Sequence, residues 1–552
     1  MRWSRWSAQG SNMDVAAGTF LALFLTWLVG YPLLLTFLEA MANGGAAFAE
    51  FARRGDEWQA LWRSLWISAA SVFFSALLGV PLAFLFERAD FPGRRVLGAL
   101  VPLPIALPPL VGVISFLFLY GESGFVPRLI QGAFGLEQSP WTLEGAPAIL
   151  LVHTYSMFVY FYLFVRAALA RFDASMLEAA AALGASRWRI FWQVELPQLR
   201  PALLGASLLT FMTSLGSFSA PYIFGGGFRV MTTQILASKM SGNTALAQAE
   251  AIVLATLALA ALALIRYFQG GELTSSSHGV APRPVRLQAS WQRWTAAIGA
   301  GLLTTILLLP HLTLFLISFV PRDTWTTELL PPAYTLANYQ HLADTERLRP
   351  LLNSLWMATV ATLAAVTLGL LAARASRRLG GTLGSILEGL IALPWAIPGT
   401  VFALALGTAF SIHQPLLGRF VFVGTAVILP LAYLVRCLPV TGRSALAGLR
   451  QLDPAQEEAA SGLGAGRLRT FFRVVLPAVR PALAAGLGLA FITGLGDFVT
   501  SIILYTFDTR PISIEIAAAL RLQEFGAAAA YGVILMLLSG TAFLIWGRGE
   551  ET

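Results

Sequence analysis

The chain has 552 residues, of which 57% are hydrophobic and only 12% are charged. Soluble globular proteins carry about a quarter charged residues, so this composition excludes a soluble enzyme and indicates a polytopic membrane protein. The net charge of +8 comes almost entirely from arginine, because Lys239 is the only lysine. In a membrane protein such charge marks the side on which a loop lies, and it does not indicate nucleic-acid binding. The single cysteine, Cys437, excludes an intramolecular disulfide.

Apolar segments long enough to cross about 30 Å of hydrocarbon recur along the whole chain. The first six lie at about 16–38, 62–86, 96–120, 146–167, 202–222 and 248–268. A polar stretch at 269–293 separates them from six more, at about 294–319, 351–373, 384–410, 420–440, 482–504 and 528–546. The basic N-terminus and the long first apolar run predict a first membrane helix with a cytoplasmic lead and not a cleaved signal peptide.

The two sets of six segments are related in sequence. The tripeptide Ser-Leu-Trp at 64–66, for example, recurs at 354–356. Since six is an even number, both halves enter the membrane in the same orientation, as parallel repeats do. The predicted fold class is an all-α polytopic membrane protein of about twelve transmembrane helices in two six-helix repeats. Its first half covers 1–268, a cytoplasmic linker covers 269–293, and its second half covers 294–552.

The most specific feature is a polar segment that occurs twice, at 178–201 and 458–481, so that matching positions keep one constant offset in numbering. Each copy has Glu-Ala-Ala, three residues, Gly, nine residues, an aliphatic residue, one residue and then Leu-Pro. The shared residues are Glu178, Ala179, Ala180, Gly184 and Pro197 in the first copy and Glu458, Ala459, Ala460, Gly464 and Pro477 in the second. The arginine asymmetry places both copies, and both chain termini, on the cytoplasmic side.

Each copy predicts two short helices. In the first copy Gly184 ends an alanine-rich helix, and a second helix over 186–194 presents aromatic residues on one face. These aromatic residues are Trp188, Phe191 and Trp192. Pro197 and Pro201 are expected to stop this helix before the fifth apolar segment. Such a helix fits a groove on a cytosolic protein, or alternatively rests on lipid headgroups, and its occurrence in two copies favours the protein partner.

The paired motif resembles the signature loop of ABC importer permeases of the binding-protein-dependent (type I) class. Val194 and Val474 stand where isoleucine is usual. The resemblance covers about 60–268 and 350–546. It implies that residues about 172–201 and 452–481 are coupling loops, each docking in a cleft of a nucleotide-binding subunit. It also implies that the glutamate of each motif, Glu178 or Glu458, pairs with a basic residue of that subunit.

The resemblance implies the partners as well. They are two copies of an ABC ATPase on the cytoplasmic side, a periplasmic or lipid-anchored substrate-binding protein, and membrane lipid, with no nucleic acid, in the bacterial cytoplasmic (inner) membrane. The chain itself is expected to bind no cofactor and to be no enzyme, with ATP and Mg²⁺ used by the ATPase. A phosphate-binding loop needs Gly-Lys-[Ser/Thr], whereas Lys239 lies between Ser238 and Met240.

The substrate is indicated by resemblance alone. The fusion of two halves, and the stretches 219–235 and 496–516, resemble ferric-iron permeases most. Thiamine, aminoethylphosphonate, polyamine and sugar-phosphate permeases remain alternatives. A different class, an ion-coupled secondary transporter, would need charged relays within the spans and would leave the two loops without a role.

Asp497 is the clearest polar residue inside an apolar segment, and Ser217 is its counterpart in the first half. Such residues are costly in a membrane and commonly functional. If the halves pack about a pseudo-two-fold axis, both would face the path, and one carboxylate would favour a cationic substrate. Alternatively, Asp497 hydrogen-bonds backbone groups freed near Gly494 and Gly496 and touches no substrate. The candidate pathway residues are Ser217, Ser219, Tyr222, Asp497, Thr500 and Ser501, and no metal-ligand cluster is evident.

Two further polar residues and a group of prolines complete the candidates. His153 and Tyr155 in the fourth segment are interpreted as satisfied packing residues. Prolines cluster in the third and ninth segments, where we expect broken helices and interpret the breaks as gate geometry. These prolines are Pro102, Pro104, Pro108, Pro109, Pro394 and Pro398.

Overall fold

The computed structural model describes residues 12–269, 285–286, 289–321, 330–411 and 421–547. The predicted cytoplasmic lead before residue 12 and most of the predicted linker, residues 270–284 and 287–288, lie outside the described residues.

Helices follow one another closely through the first half. They are α1 (Asn12–Leu25), α2 (Tyr31–Ala40), α3 (Ala42–Arg53), α4 (Gly55–Arg88), α5 (Arg94–Leu100), α6 (Pro109–Tyr120), α7 (Phe125–Phe134), α8 (Gly145–Leu169), α9 (Ala174–Ala182), α10 (Arg187–Ile190), α11 (Leu196–Leu215), α12 (Ser219–Phe224), α13 (Met231–Met240) and α14 (Thr244–Gln269). Two π-helical turns, Thr26–Gly30 and Phe191–Glu195, and one 3-10 turn, Leu103–Ala106, lie between them.

The second half repeats this succession. Its helices are α15 (Ser290–Ile317), α16 (Ala337–Leu342), α17 (Thr345–Leu379), α18 (Gly381–Ala396), α19 (Gly399–Ala409), α20 (Ile428–Gln451), α21 (Pro454–Gly462), α22 (Arg467–Thr470), α23 (Leu476–Leu495), α24 (Val499–Leu504), α25 (Ile512–Arg521) and α26 (Phe525–Gly547). A π-helical turn lies at Phe471–Val475. Two short strands, β1 (Ala89–Asp90) and β2 (Val285–Arg286), pair in parallel.

The all-α membrane fold is confirmed. Among the described residues, nine helical segments are long and apolar enough to cross a membrane, and the bent pair α18 and α19 makes ten. A helix also lies at the other two predicted positions, α11 and α20. These two are less apolar because α11 begins with prolines, Gln198 and Arg200, and α20 carries three arginines.

The third and ninth segments are broken at prolines, as predicted. A proline lacks a backbone N–H and its ring meets the carbonyl four residues earlier, so it interrupts a helix. Residues 101–108 separate α5 from α6, and α18 and α19 meet at 111°. The fifth and eleventh segments are also discontinuous, which we had not predicted. They break after Leu215 and Leu495 and resume as the short helices α12 and α24.

Packing divides the described chain into two compact units. Unit A takes its residues from Met1–Arg54, Ile235–Ala255 and Thr335–Thr552, and unit B takes its residues from Gly55–Gln234 and Thr256–Tyr334. In unit A, α1 and α2 pack against α17, α18 and α19, whereas α15 packs on α5 and α6 in unit B. The first helix of each sequence repeat therefore belongs to the packing unit built mainly from the other repeat.

Each unit has the same central group of three helices, α4, α8 and α11 in unit B and α17, α20 and α23 in unit A. Ser64 Oγ accepts the backbone N–H of Met231 at 2.8 Å in unit B. Ser354 Oγ accepts that of Ile512 at 2.8 Å in unit A. The repeat seen in the sequence is therefore repeated in the hydrogen bonds that join distant helices.

Candidate coupling loops and translocation pathway

The first copy of the repeated motif folds as a helix, a tight turn and a second helix. Gly184 has φ of +78°, a backbone conformation that other residues rarely adopt, and it ends α9. The N–H of Leu183 donates to the carbonyl of Ala179 at 3.0 Å, and that of Ala185 donates to Ala180 at 3.1 Å. The Glu-Ala-Ala and Gly elements of the motif thus build one turn.

The second copy has the same geometry. Gly464 has φ of +79°. Leu463 N–H donates to Ala459 O at 3.0 Å, and Ala465 N–H donates to Ala460 O at 3.0 Å. Because the turn is the same in both copies, whatever docks on one loop finds the same shape on the other.

An aspartate begins each loop, and sequence reasoning missed both of them. The side chain of Asp173 accepts the N–H of Ser175 at 3.0 Å, and that of Asp453 accepts the N–H of Ala455 at 2.9 Å. These are helix N-caps, which fix where α9 and α21 start. In the sequence, an Asp directly before each alanine-containing helix could have predicted these N-caps.

The turns present their side chains to solvent. Leu183 is 89% exposed and Leu463 is 90% exposed, although leucine usually packs. The side chains of Glu178 and Glu458 are exposed, and neither carboxylate forms a hydrogen bond or ion pair with any other described residue. Together with exposed apolar residues of each second helix, Trp188 and Leu468 among them, the two leucines form apolar surface of the kind that marks protein interaction sites.

The aromatic face of each second helix is divided between two roles. Phe191 packs against Phe84 with ring centroids 5.7 Å apart, and the Arg374 guanidinium lies 4.6 Å above the Phe471 ring. Trp188, by contrast, is 70% exposed. One ring therefore anchors each loop to its own unit, while its neighbours stay available to a partner.

The prediction that Pro197 and Pro201 stop the second helix is wrong. The helix widens into the π turn Phe191–Glu195, where the N–H of Leu196 donates to Phe191 O, and continues as α11 to Leu215. A π turn shifts the hydrogen-bond ladder by one residue and leaves room for the proline rings that follow. The second copy does the same at Phe471–Val475. Each loop is thus joined to its membrane helix without a break.

Asp497 lies in the break between α23 and α24, and its side chain is 2% exposed. Its Oδ1 accepts the N–H groups of Thr500 at 2.8 Å and Ser501 at 3.3 Å, and its Oδ2 accepts the Thr500 hydroxyl at 3.1 Å. The carboxylate therefore accepts hydrogen bonds from backbone groups at the helix break, as the alternative interpretation held. These groups belong to Thr500 and Ser501 and not to residues beside Gly494 and Gly496.

Arg436, on α20, is the partner that sequence reasoning missed. Its Nε lies 2.9 Å from Asp497 Oδ2, and its side chain is 28% exposed. Gly399 makes room for it, since a Cβ at that position would overlap Arg436 Nη1. The argument that a lone carboxylate favours a cation fails, because this carboxylate is paired with a guanidinium.

The first half has a cluster of one histidine and three serines at the corresponding place. His153 Nε2 is hydrogen-bonded to Ser217 Oγ at 2.9 Å, and His153 Nδ1 to Ser71 Oγ at 2.9 Å and to Ser214 Oγ at 3.1 Å. The histidine is buried with both nitrogens satisfied, as predicted. The constant offset between the two motifs relates Ser217 to Asp497, so a hydroxyl in one half stands where the other half has a carboxylate.

The remaining candidates are close by in the same short helices. Ser219 is buried at the start of α12, and Tyr222 is half-buried with its ring 5.2 Å from that of Phe218. Tyr155, the other predicted packing residue, donates its hydroxyl to Leu307 O at 3.0 Å. Among the described residues no group of three or more His, Cys, Asp or Glu side chains is arranged to hold a metal ion.

Comparison with known proteins shows which family the chain matches. A family model described as "Binding-protein-dependent transport system inner membrane component" matches residues 75–271 and 365–548. The chain is 30% identical over 536 residues to "Probable ABC transporter permease protein y4fN" of Sinorhizobium fredii, covering 95% of this chain and 94% of that one.

Two further relatives have substrates in their names. The chain is 27% identical over 556 residues to "Ferric transport system permease protein FbpB" of Actinobacillus pleuropneumoniae, covering 98% of this chain and 79% of that one. It is 33% identical over 267 residues to "Thiamine transport system permease protein ThiP" of Brucella abortus, covering 47% of each.

Proposed function

The chain belongs to the family of binding-protein-dependent transport system inner membrane components, and from this premise we propose that it carries ferric iron into the cell. Members of the family are multi-pass permeases of ABC importers in the inner membrane, without ATPase activity of their own. The ferric substrate is the finer step. It is supported by the relative FbpB, which aligns with 98% of this chain.

The observation that carries the coupling mechanism is the pair of exposed loops. Each presents an unpaired glutamate and an exposed leucine on a turn of the same geometry. Two equal docking surfaces fit two copies of one ATPase, which would bind ATP and Mg²⁺. With both loops and both chain termini on the cytoplasmic side, the substrate-binding protein docks on the opposite face of the membrane.

The continuous helix beyond each loop supplies the means of transmission. α10, the π turn Phe191–Glu195 and α11 form one uninterrupted helix, so a displacement of the loop moves the membrane helix with it. π turns are rare in helices and are frequent at functional sites. In the proposed cycle ATP-driven closure of the ATPases moves both loops, opens the path for substrate, and is reset by hydrolysis.

Stimulated ATP hydrolysis tests this function. The chain is purified with its ATPase in lipid nanodiscs, and ATP hydrolysis is measured as iron-loaded or thiamine-loaded binding proteins are added. We expect the iron-loaded protein alone to stimulate hydrolysis at least tenfold. A Glu178→Ala/Glu458→Ala variant should lose the stimulation, because an ion pair to each ATPase is removed.

The matched control is Asp90→Ala, which removes an exposed carboxylate outside both loops on the same side of the membrane and should hydrolyse ATP as the wild type does. Stimulation by the thiamine-loaded protein would support the importer function but show that the substrate is thiamine and not ferric iron. Failure of any ATPase to bind the wild-type chain would contradict the coupling mechanism.

A further inference from the structure

Two polar contacts show how helices α4 and α11 run in unit B. Arg88 Nη2, at the end of α4, lies 2.9 Å from Glu195 Oε1, directly before α11. Ser71, in the middle of α4, accepts the hydroxyl of Ser214 at 3.2 Å, and Ser214 lies near the end of α11. Because the end of α4 meets the start of α11, the two helices are antiparallel.

The next turn of this helix contact contains Ser75 and Thr210. One turn of about four residues leads along α4 from Ser71 to Ser75. The same step leads back along α11 from Ser214 to Thr210, since the two helices run in opposite directions. Both side chains are fully buried. Ser75 and Thr210 therefore lie opposite each other inside unit B.

The hydroxyls of Ser75 and Thr210 differ from those of their neighbours. Ser68 of α4 and Thr213 of α11 each donate to the carbonyl four residues earlier in their own helix at 2.7 Å. The hydroxyl oxygens of Ser75 and Thr210 have no hydrogen-bond partner among the described residues. Buried polar groups that no protein group satisfies are commonly bound to ordered water.

The second half has alanine at both corresponding positions. The offset between the two Ser-Leu-Trp tripeptides relates Ser75 to Ala365, and the offset between the two loop motifs relates Thr210 to Ala490. These two alanines pack with Cys437 in one buried apolar cluster of unit A. The contact between the related positions supports the placement of Ser75 opposite Thr210. The two hydroxyls are therefore a feature of the first half alone, where they occur together.

Helix α8 contributes a methionine at the same level. His153 of α8 is hydrogen-bonded to Ser71 at 2.9 Å, and Arg166, later in α8, lies 3.2 Å from Glu87 of α4. α8 therefore runs parallel to α4, and one turn beyond His153 places Met157, which is buried, at the level of the two hydroxyls. A thioether is only a weak hydrogen-bond acceptor, but it is readily oxidised, so Met157 can report on a neighbouring water.

We propose that a water molecule is bound between Ser75 and Thr210 and bridges α4 to α11. Each hydroxyl can donate one hydrogen bond and accept others, so a water between them has the polar partners that an ordered buried water requires. α11 is continuous with the helix of the first coupling loop, so the bridge joins that helix to α4. The site does not depend on which substrate is transported.

Radiolytic oxidation of the full chain in lipid nanodiscs tests the proposal. An X-ray pulse produces hydroxyl radicals from bound as well as bulk water, and mass spectrometry then measures oxidation at each methionine. We expect Met157 to be oxidised about fivefold faster than Met357, a buried methionine of α17. In the variant Ser75→Ala/Thr210→Val, which replaces both hydroxyls with apolar groups, the rate at Met157 should fall to that at Met357.

Ser68→Ala is the matched control for this variant, because it removes a buried hydroxyl that bonds its own helix. Its oxidation rate at Met157 should equal that of the wild type. Equal rates at Met157 and Met357 in the wild type would overturn the proposal. An undiminished rate at Met157 in the double variant, or the same fall in Ser68→Ala, would overturn it as well.

Thermal unfolding in detergent distinguishes one shared water from two independent hydroxyls. A water held by both residues loses a partner in either single variant, so Ser75→Ala and Thr210→Val should each lower Tm by about 1–3 °C. The double variant should lower Tm no further than either single variant, because both substitutions remove the same bridge. Additive losses, or no loss in any of the three variants, would reject the shared water.

Discussion

Gly79 shows how closely two of the membrane helices approach at a single residue. A Cβ on Gly79 of α4 would overlap the backbone oxygen of Phe158 and lie 2.7 Å from the Cβ of Phe161 on α8. Backbone atoms cannot rotate away, so Gly79→Ala must push the helices apart. We expect a loss of about 1–3 kcal/mol in the free energy of unfolding, measured as a lower Tm in detergent.

Gly389→Ala is the matched control for this substitution. Gly389 is an exposed helical glycine of α18, and a Cβ there meets no atom within 4 Å. Alanine is favoured over glycine in a helix by about 0.5–1 kcal/mol, so this variant should be as stable as the wild type or more so. Equal Tm values for the two variants would contradict the close packing of α4 on α8.

Asp497 marks the limit of what single residues reveal in sequence. A carboxylate in an apolar segment is costly and indicated a functional residue, and this function stays a prediction. The inference that this carboxylate favours a cationic substrate failed because its partner, Arg436, is distant from it along the chain. The two residues are brought together only by the packing of α20 on α24. Only the folded chain shows that the exposed member of the pair is the arginine.

At the scale of helices, sequence period and composition predicted where each membrane helix lies better than they predicted whether that helix is continuous. A helix lies at every one of the predicted spans, because an apolar run of that length has no other stable form in a bilayer. Breaks at prolines were predicted in α18 and α19, but the same reasoning failed at Pro197, where a π turn lets the helix continue. Local rules for proline cannot show which solution the neighbouring helices favour.

The second coupling loop is tied to the N-terminal helix by charge. Asp14 of α1 lies 3.2 Å from Arg467 of α22 and 3.7 Å from Arg378 of α17. Glu457 continues this network, at 3.3 Å from Arg378. Arg187, the counterpart of Arg467, forms no ion pair with the part of the chain that the structure describes. The two loops are therefore alike in shape but unlike in attachment.

We predict that Asp14→Arg weakens coupling through the second loop. Repulsion from two arginines replaces attraction worth about 1 kcal/mol at a partly exposed site, so about fivefold more ATP is hydrolysed per substrate transported. Asp14→Arg/Arg467→Asp restores the opposite charges and should recover at least half of the loss. Asp344→Asn, at an exposed carboxylate whose one ion pair among the described residues is with His341, is the control. An unrescued double variant would contradict the ionic tie.

At the scale of the whole chain, duplication was the strongest signal in the sequence. The constant offset between the two motifs predicted two like loops, and both have the same turn. The membership of the packing units was not foreseen, because the exchange of α1 and α15 between them leaves no local mark in the sequence. Repeats in sequence show how many similar parts a chain has, and packing decides which helices hold each part together.

Two like loops predict that one chain binds two ATPase subunits, one at each exposed leucine. Replacing Leu183 or Leu463 with Asp puts a charge where an apolar anchor is expected, which should weaken that site by about 2 kcal/mol or more, roughly thirtyfold. Native mass spectrometry should then show one bound ATPase for each single variant and none for the double variant. Leu522→Asp, at a leucine 72% exposed outside both loops, should still bind two. Loss of both subunits from either single variant would show that the ATPases bind as a preformed dimer, and two subunits on the double variant would show that neither loop is a docking surface.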